Sequence, residues 1–176
     1  MTGHPLWIMT VCTGNICRSP MAEVVLRDRL DDAGLTDVEV DSSGVSDEEH
    51  GNPVDRRART VLAARGYDVP DRRARQVQAS DLVRRDLVLA MTASHARALR
   101  RLAGPGEVAE RVVMYRSFDP DAPRVPPGGP EHLLDVADPW YGGARDFEVC
   151  LDQIEAAADG IVAWARERGS MAGGTR

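Results

Sequence analysis

The nine residues Cys12-Thr13-Gly14-Asn15-Ile16-Cys17-Arg18-Ser19-Pro20 constrain this chain more tightly than any other stretch. They follow Leu6-Trp7-Ile8-Met9-Thr10-Val11, a run with the length and β-branched or aromatic content of a buried strand. Gly14 and Asn15 tolerate positive φ, so the loop after the strand can turn its N–H groups inward. Ser19-Pro20 reads as a helix N-cap followed by the favoured first helical residue. Met21, Ala22, Val25 and Leu26 then begin an apolar helical face. The unit predicted is strand, tight loop, helix, with a cysteine at the strand end and an arginine six positions later.

That arrangement has a chemical consequence. Inward N–H groups form an anion nest, the helix N-terminus adds partial positive charge and Arg18 adds a full one, so all three favour a thiolate at Cys12. The same donors suit three phosphate oxygens, with the Arg18 guanidinium as a bidentate fork. Ser19 can hydrogen-bond the sulfur as it attacks and as it leaves. A nucleophile and an anion cradle in one loop imply phosphoryl transfer through a phosphocysteine. Cys12 alone would read as a small buried residue, but Arg18-Ser19-Pro20 at this spacing argues otherwise. A zinc site lacks the second Cys or Cys/His pair that would complete a tetrahedron with Cys12 and Cys17. A nucleotide-binding Gly-Lys-Ser/Thr loop is excluded, because the chain contains no lysine.

Val11 through Glu23 resembles the phosphate-binding signature of the low-molecular-weight protein tyrosine phosphatases. The resemblance implies Cys12 as nucleophile, Arg18 as phosphate clamp and Asn15 as the residue that shapes the loop. Thr13, Gly14, Ile16, Cys17 and Ser19 are the remaining expected phosphate-loop residues. It also implies the family fold, a four-stranded parallel sheet flanked by helices. Ser42 aligns with a family serine that braces the loop asparagine, and Cys17 with a partner for a protective disulfide. Cys17 as a simple space-filler beneath the cradle is an equal reading, and Cys150 reads as core.

Phosphoryl transfer to an aryl ester needs a general acid for the leaving oxygen. Asp119-Pro120 and Asp138-Pro139 both offer an acid on an extended backbone. Only Asp138 is followed by Trp140-Tyr141-Gly142, which resembles the family's acid loop and supplies an aromatic pair for an aryl phosphate. Asp138 is therefore the expected acid and Asp119 a turn residue. Three departures bear on substrate choice: Glu48-Glu49 replace a rim tryptophan, Arg72 stands for a frequent histidine, and Thr92 for a common aspartate. Trp140 replaces a tyrosine and supplies the remaining aromatic wall. His4, His50, His95 and His132 have no neighbours suggesting a triad or metal site and read as surface or structural.

At 176 residues with 43% hydrophobic content, the chain fits one domain, expected over 1–170 with a flexible tail at 171–176. Strands at 6–11, 38–40, 86–91 and 111–115 alternate with helical patterns, the last from Phe147. This predicts a doubly wound, Rossmann-like α/β sheet with helices on both faces. Its ligand site should lie beyond the carboxyl ends of the strands, where Cys12 falls. A net charge of −6 gives no argument for nucleic acid or an anionic membrane as partner. No run reaches transmembrane length, and no basic segment precedes the first apolar stretch. Three cysteines, one reactive, suit a reducing cytoplasm.

The expected activity is hydrolysis of phosphotyrosine on proteins or of small aryl phosphates, by a monomer without metal or cofactor. Arsenate reductases share the loop but need further cysteines. Protein-arginine phosphatases carry threonine where Ile16 stands, and a binding-only protein would need neither nucleophile nor acid.

Overall fold

The computed structural model describes residues 5–173. Four strands, β1 (Leu6–Cys12), β2 (Val38–Gly44), β3 (Leu87–Ala90) and β4 (Val112–Met114), form one parallel sheet in the order β2-β1-β3-β4. The helices are α1 (Arg18–Asp32), α2 (Arg56–Ala64), α3 (Ala79–Arg84), α4 (Ala93–Ala103), α5 (Glu107–Glu110) and α6 (Ala144–Gly173).

β1, β3 and β4 are apolar at nearly every position because both faces are covered, as parallel sheets require, whereas β2, at the edge, carries Glu39, Asp41, Ser42 and Ser43. Their side chains still divide with period two. Ile8, Cys12, Leu87 and Leu89 join one cluster with Leu26 of α1 and Phe147, Leu151 and Ile154 of α6. Met9, Val11, Val88 and Ala90 join a second with Leu82 of α3 and Leu99 of α4. Helices on both faces of a parallel sheet are the doubly wound arrangement the alternating pattern predicts.

Three local expectations are revised. β2 runs to Gly44 rather than turning into loop after Val40, and Cys12 pairs with Gly44 at its end. Ser42 and Ser43 read as loop because they are polar, yet both are buried and hydrogen-bonded. Ser19 does not cap α1. The cap is Cys17, and Ser19 and Pro20 lie inside the first turn, where a missing proline N–H costs nothing. The terminal helix starts three residues earlier than Phe147, spanning Ala144–Gly173. Positions 174–176 lie outside the described residues. The short helices α3 and α5 carry too few periodic positions to be seen in the sequence.

Candidate active site

β1 ends at Cys12, and α1 begins at Arg18, so residues 13–17 form a loop at the carboxyl edge of the sheet. Asn15 alone among the described non-glycine residues adopts positive φ, at 62°. Gly14 does not, contrary to expectation. A Cβ there would sit 2.9 Å from Cγ of the partly exposed Glu49, a side chain that can shift to make room. Gly44, unnoticed in the sequence, backs the loop more closely still: its Cβ would come 2.5 Å from the Thr13 carbonyl oxygen.

The strained turn at Asn15 is held by complete pairing of its amide. Nδ2 donates to Ser19 Oγ at 2.9 Å and to Ser42 Oγ at 3.0 Å. Oδ1 accepts from Arg72 Nη2 at 2.6 Å and from the Arg75 backbone N–H at 3.0 Å. Two donors and two lone pairs are thereby all used. Arg72 also donates to the Asn15 carbonyl at 3.2 Å and faces Glu23 at 3.4 Å. Buried Glu23 accepts in turn from Ser42 and pairs with Arg27. Arg72, marked in the sequence only as a departure, is thus a brace of the loop.

Ser19 Oγ lies 3.0 Å from Cys12 Sγ and 3.3 Å from the Ser43 carbonyl. Asn15 donates into this hydroxyl, so its single proton goes to one of two acceptors, the sulfur at 3.0 Å or the Ser43 carbonyl at 3.3 Å. Arg18 is buried, with Nη1 donating to the Val136 carbonyl at 3.3 Å and Nη2 standing 3.3 Å from Asp138 Oδ2. The other Asp138 oxygen accepts from the Trp140 N–H at 3.1 Å, and the side chain is 47% exposed.

A cavity of about 260 Å³ opens over the loop. Cys12, Thr13, Gly14, Ile16, Cys17 and Arg18 line it together with Asp138. Glu48 and Glu49 also line it, as do Trp140 and Tyr141. Asn15 and Ser19 do not, because their side chains are buried behind the loop. They shape the cradle rather than touch its contents. Asp119 lies in a separate cavity, where its carboxyl accepts from the Asp121 N–H at 2.9 Å and faces Arg116. Thr92, the third departure, caps α4 by accepting from the His95 N–H at 3.2 Å.

Burial and the nearby Asp55 carboxylate push the Cys17 thiol well up, and burial pushes Cys150 up to about 12. All three cysteines are free. Among the described residues no group of three or more His, Cys, Asp or Glu side chains is placed to hold a metal ion, and no helix is long and apolar enough to cross a membrane.

His95, expected from the sequence to be surface or structural, is buried and reaches the loop. Its Nε2 lies 2.8 Å from Thr13 Oγ1, while Nδ1 is buried without a partner. Burial, reinforced by Arg18 and opposed by Asp138, lowers the imidazole to about 4. A folded value below the unfolded one means the unfolded chain takes up the proton first, so stability falls as pH drops from about 6.5 towards 4. His95→Gln keeps a polar atom at the Nε2 position that faces Thr13 and removes this titration. Between pH 7 and 4 the parent should lose roughly 3 kcal/mol more unfolding free energy than the variant, as read by urea titration. Parallel pH curves would refute a buried neutral His95.

Comparison with known proteins agrees with this geometry. The family model described as low molecular weight phosphotyrosine protein phosphatase matches residues 7–169. A low molecular weight protein-tyrosine-phosphatase of Streptomyces coelicolor is 50% identical over 159 residues, covering 90% of this chain and 92% of that one. Low molecular weight protein-tyrosine phosphatase A of Mycobacterium tuberculosis is 46% identical over 165 residues, covering 93% and 94%. The crystal structure of a protein tyrosine phosphatase from Entamoeba histolytica with Hepes in the active site superposes with a TM-score of 0.83 at 29% identity, covering 93% and 99%. By sequence and by fold, this chain belongs to the low-molecular-weight phosphotyrosine protein phosphatase family.

Proposed function

We propose that this protein hydrolyses phosphotyrosine in proteins, and related aryl phosphomonoesters, through a phosphocysteine. Cys12 Sγ attacks phosphorus, and the P–O bond to the aryl group breaks as the P–S bond forms. Asp138 gives its proton to the departing phenolate oxygen. Arg18 and the loop N–H groups hold the three phosphoryl oxygens while charge shifts among them. Asp138, now a carboxylate, takes a proton from water as that water attacks phosphorus and releases the thiolate and inorganic phosphate. Ser19 donates to the sulfur at both ends of this cycle.

The observation that carries the reading is the convergence of Cys12, Arg18 and Asp138 on one cavity, with 3.3 Å between the arginine and the acid. Trp140 and Tyr141 line the same cavity and suit an aromatic ring. Buried Cys150 offers no ready electron relay for arsenate reduction, and apolar Ile16 cannot position water against a phosphoramidate. Free thiols suit a reducing cytoplasm. Hydrolysis of para-nitrophenyl phosphate and of phosphotyrosine, phosphoserine and phosphoarginine peptides tests the proposal. The first two should be cleaved, undiminished by chelator, and the others not. Preferred cleavage of phosphoarginine would overturn it.

Glu48 and Glu49 set the preference around the phosphotyrosine. Glu48 is exposed, and Glu49 Oε2 accepts from Asn52 Nδ2 at 2.6 Å. Carboxylates at the mouth of an anion site repel acidic flanks and attract basic ones. Peptides with arginine or lysine beside the phosphotyrosine should exceed acidic ones in kcat/KM by roughly two- to five-fold per glutamate, the worth of an exposed ion pair. The preference should shrink in Glu48→Gln/Glu49→Gln and in high salt. An unchanged ratio in the double variant would remove these residues from the specificity rim.

A further inference from the structure

The acid loop is tied to the phosphate loop by a residue that the chemistry above does not use. Arg57 stands in the first turn of α2, half-buried. Its Nη1 donates to two carbonyls of the acid loop, Trp140 at 3.0 Å and Gly142 at 3.2 Å. The guanidinium lies 5.4 Å from the centre of the Trp140 ring and 4.7 Å from that of Phe147, within cation–π range of both. Its remaining donors grip Asp55 as a fork, Nε to Oδ1 at 3.1 Å and Nη2 to Oδ2 at 3.2 Å.

Asp55 completes the link. Its backbone N–H donates to the carbonyl of Ile16 at 2.8 Å, inside the phosphate loop itself. Its carboxylate also caps α2 by accepting from the Arg57 N–H at 2.8 Å. Burial raises the Asp55 carboxyl, but the hydrogen bonds from Arg57 outweigh that and hold it below the ordinary range, so the pair is ionised at neutral pH. A continuous path therefore runs from Ile16 through Asp55 and Arg57 to the carbonyls on either side of Tyr141.

We propose that Arg57 is a positioning residue for catalysis, setting the distance between the acid loop and the phosphate loop so that Asp138 meets the leaving-group oxygen. The proposal rests on Asp138 being the general acid. Asp138 touches the rest of the site through Arg18, and a bound phosphoryl group draws on those same guanidinium donors. What then fixes the half-exposed acid is its own loop, and Arg57 is the fork that holds that loop. Lysine cannot replace it, because an ammonium lacks the planar fork that serves carbonyls, carboxylate and ring faces together.

The test measures the rate of phosphocysteine formation from dinitrophenyl phosphate and from phenyl phosphate. The first needs no acid and the second does. Arg57→Ala and Arg57→Lys should slow phenyl phosphate by roughly 10- to 100-fold and dinitrophenyl phosphate by less than about three-fold, a fraction of a general acid's contribution. Added to Asp138→Asn, Arg57→Ala should bring no further loss on phenyl phosphate and no more than its own loss of under about three-fold on dinitrophenyl phosphate. Asp55→Asn keeps the backbone tie to Ile16 and the cap, folds by the same local contacts, and should show the same selectivity in weaker form. Equal losses on both substrates, or a full additional loss in the double variant, would make Arg57 merely structural and overturn the proposal. Parent rates in all Arg57 and Asp55 variants would do the same. If Asp138→Asn itself shows no selectivity between the substrates, the acid assignment fails instead, so the two failures are distinct.

Discussion

Cys12→Ser should remove turnover of every aryl phosphate, with a loss of at least about four orders of magnitude. The reason lies in what surrounds position 12. Ser19 Oγ, at 3.0 Å, has a proton to donate and can stabilise an anion, but it cannot act as a base. His95 faces Thr13 and, held neutral by burial, is not directed at the nucleophile. A serine hydroxyl in this loop would therefore keep its proton, unlike the serine of a hydrolase with a histidine beside it. The anion cradle does not depend on the sulfur. Arg18 and the loop held by Asn15 remain, so inorganic phosphate should bind the variant about as well as the parent. Rapid-quench measurement after mixing with dinitrophenyl phosphate should find phosphoenzyme in the parent and none in the variant. Iodoacetamide at neutral pH should label Cys12, since Cys17 and Cys150 are buried thiols pushed up out of the reactive range. Turnover by the serine variant comparable to the parent's would end the phosphocysteine reading.

The parts of this site that were legible in the sequence are those where chemistry and local geometry share a few consecutive residues. Cys12 through Arg18 is one loop, so its strand, its turn and its charge are all adjacent in the chain. The placement of β1, β3 and β4 followed from short apolar runs for the same reason. Asp138 needed more, because Asp119-Pro120 is locally just as suitable. The following Trp140-Tyr141-Gly142 decided between them, and the structure puts Asp138 beside Arg18 and Asp119 in another cavity.

What escaped the sequence depends on contacts between distant segments. Ser19 has the form of an N-cap, but its hydroxyl is claimed by Cys12 and Asn15, and the tertiary partner overrides the local preference. The polar end of β2 looks like loop until one sees that Ser42 and Ser43 are satisfied by Asn15, Glu23 and Met9. Arg72 stands out in the sequence only as a departure from a family histidine, and Arg57 lies in the run Arg56-Arg57-Ala58-Arg59, where nothing local distinguishes the side chain that reaches the acid loop. His95 left a usable signal. It is the third residue of the helix after β3, and the carboxyl end of a parallel sheet is where a site is expected.

Asp138→Asn should lower phosphocysteine formation from phenyl phosphate by roughly 10²- to 10⁴-fold, the usual worth of a general acid, while costing dinitrophenyl phosphate less than about ten-fold. Asparagine keeps the shape of the side chain and can still accept from the Trp140 N–H, so the loop held by Arg57 should stay in place. It has no proton to give, and a phenolate leaving unprotonated must carry its full charge away from phosphorus. Dinitrophenolate bears that charge readily and phenolate does not, which is why the substrates separate. The second half of the cycle should suffer too, because the amide cannot take a proton from the attacking water. A burst of dinitrophenolate equal to the enzyme present, followed by slow turnover, is therefore expected, with phosphocysteine accumulating. Asp119→Asn should give parent kinetics on both substrates, its carboxyl being engaged with Asp121 and Arg116 away from the cavity. If Asp119→Asn instead shows the selective loss and the burst, the acid belongs to that aspartate, and the pairing of Arg18 with Asp138 is only an ion pair at the rim.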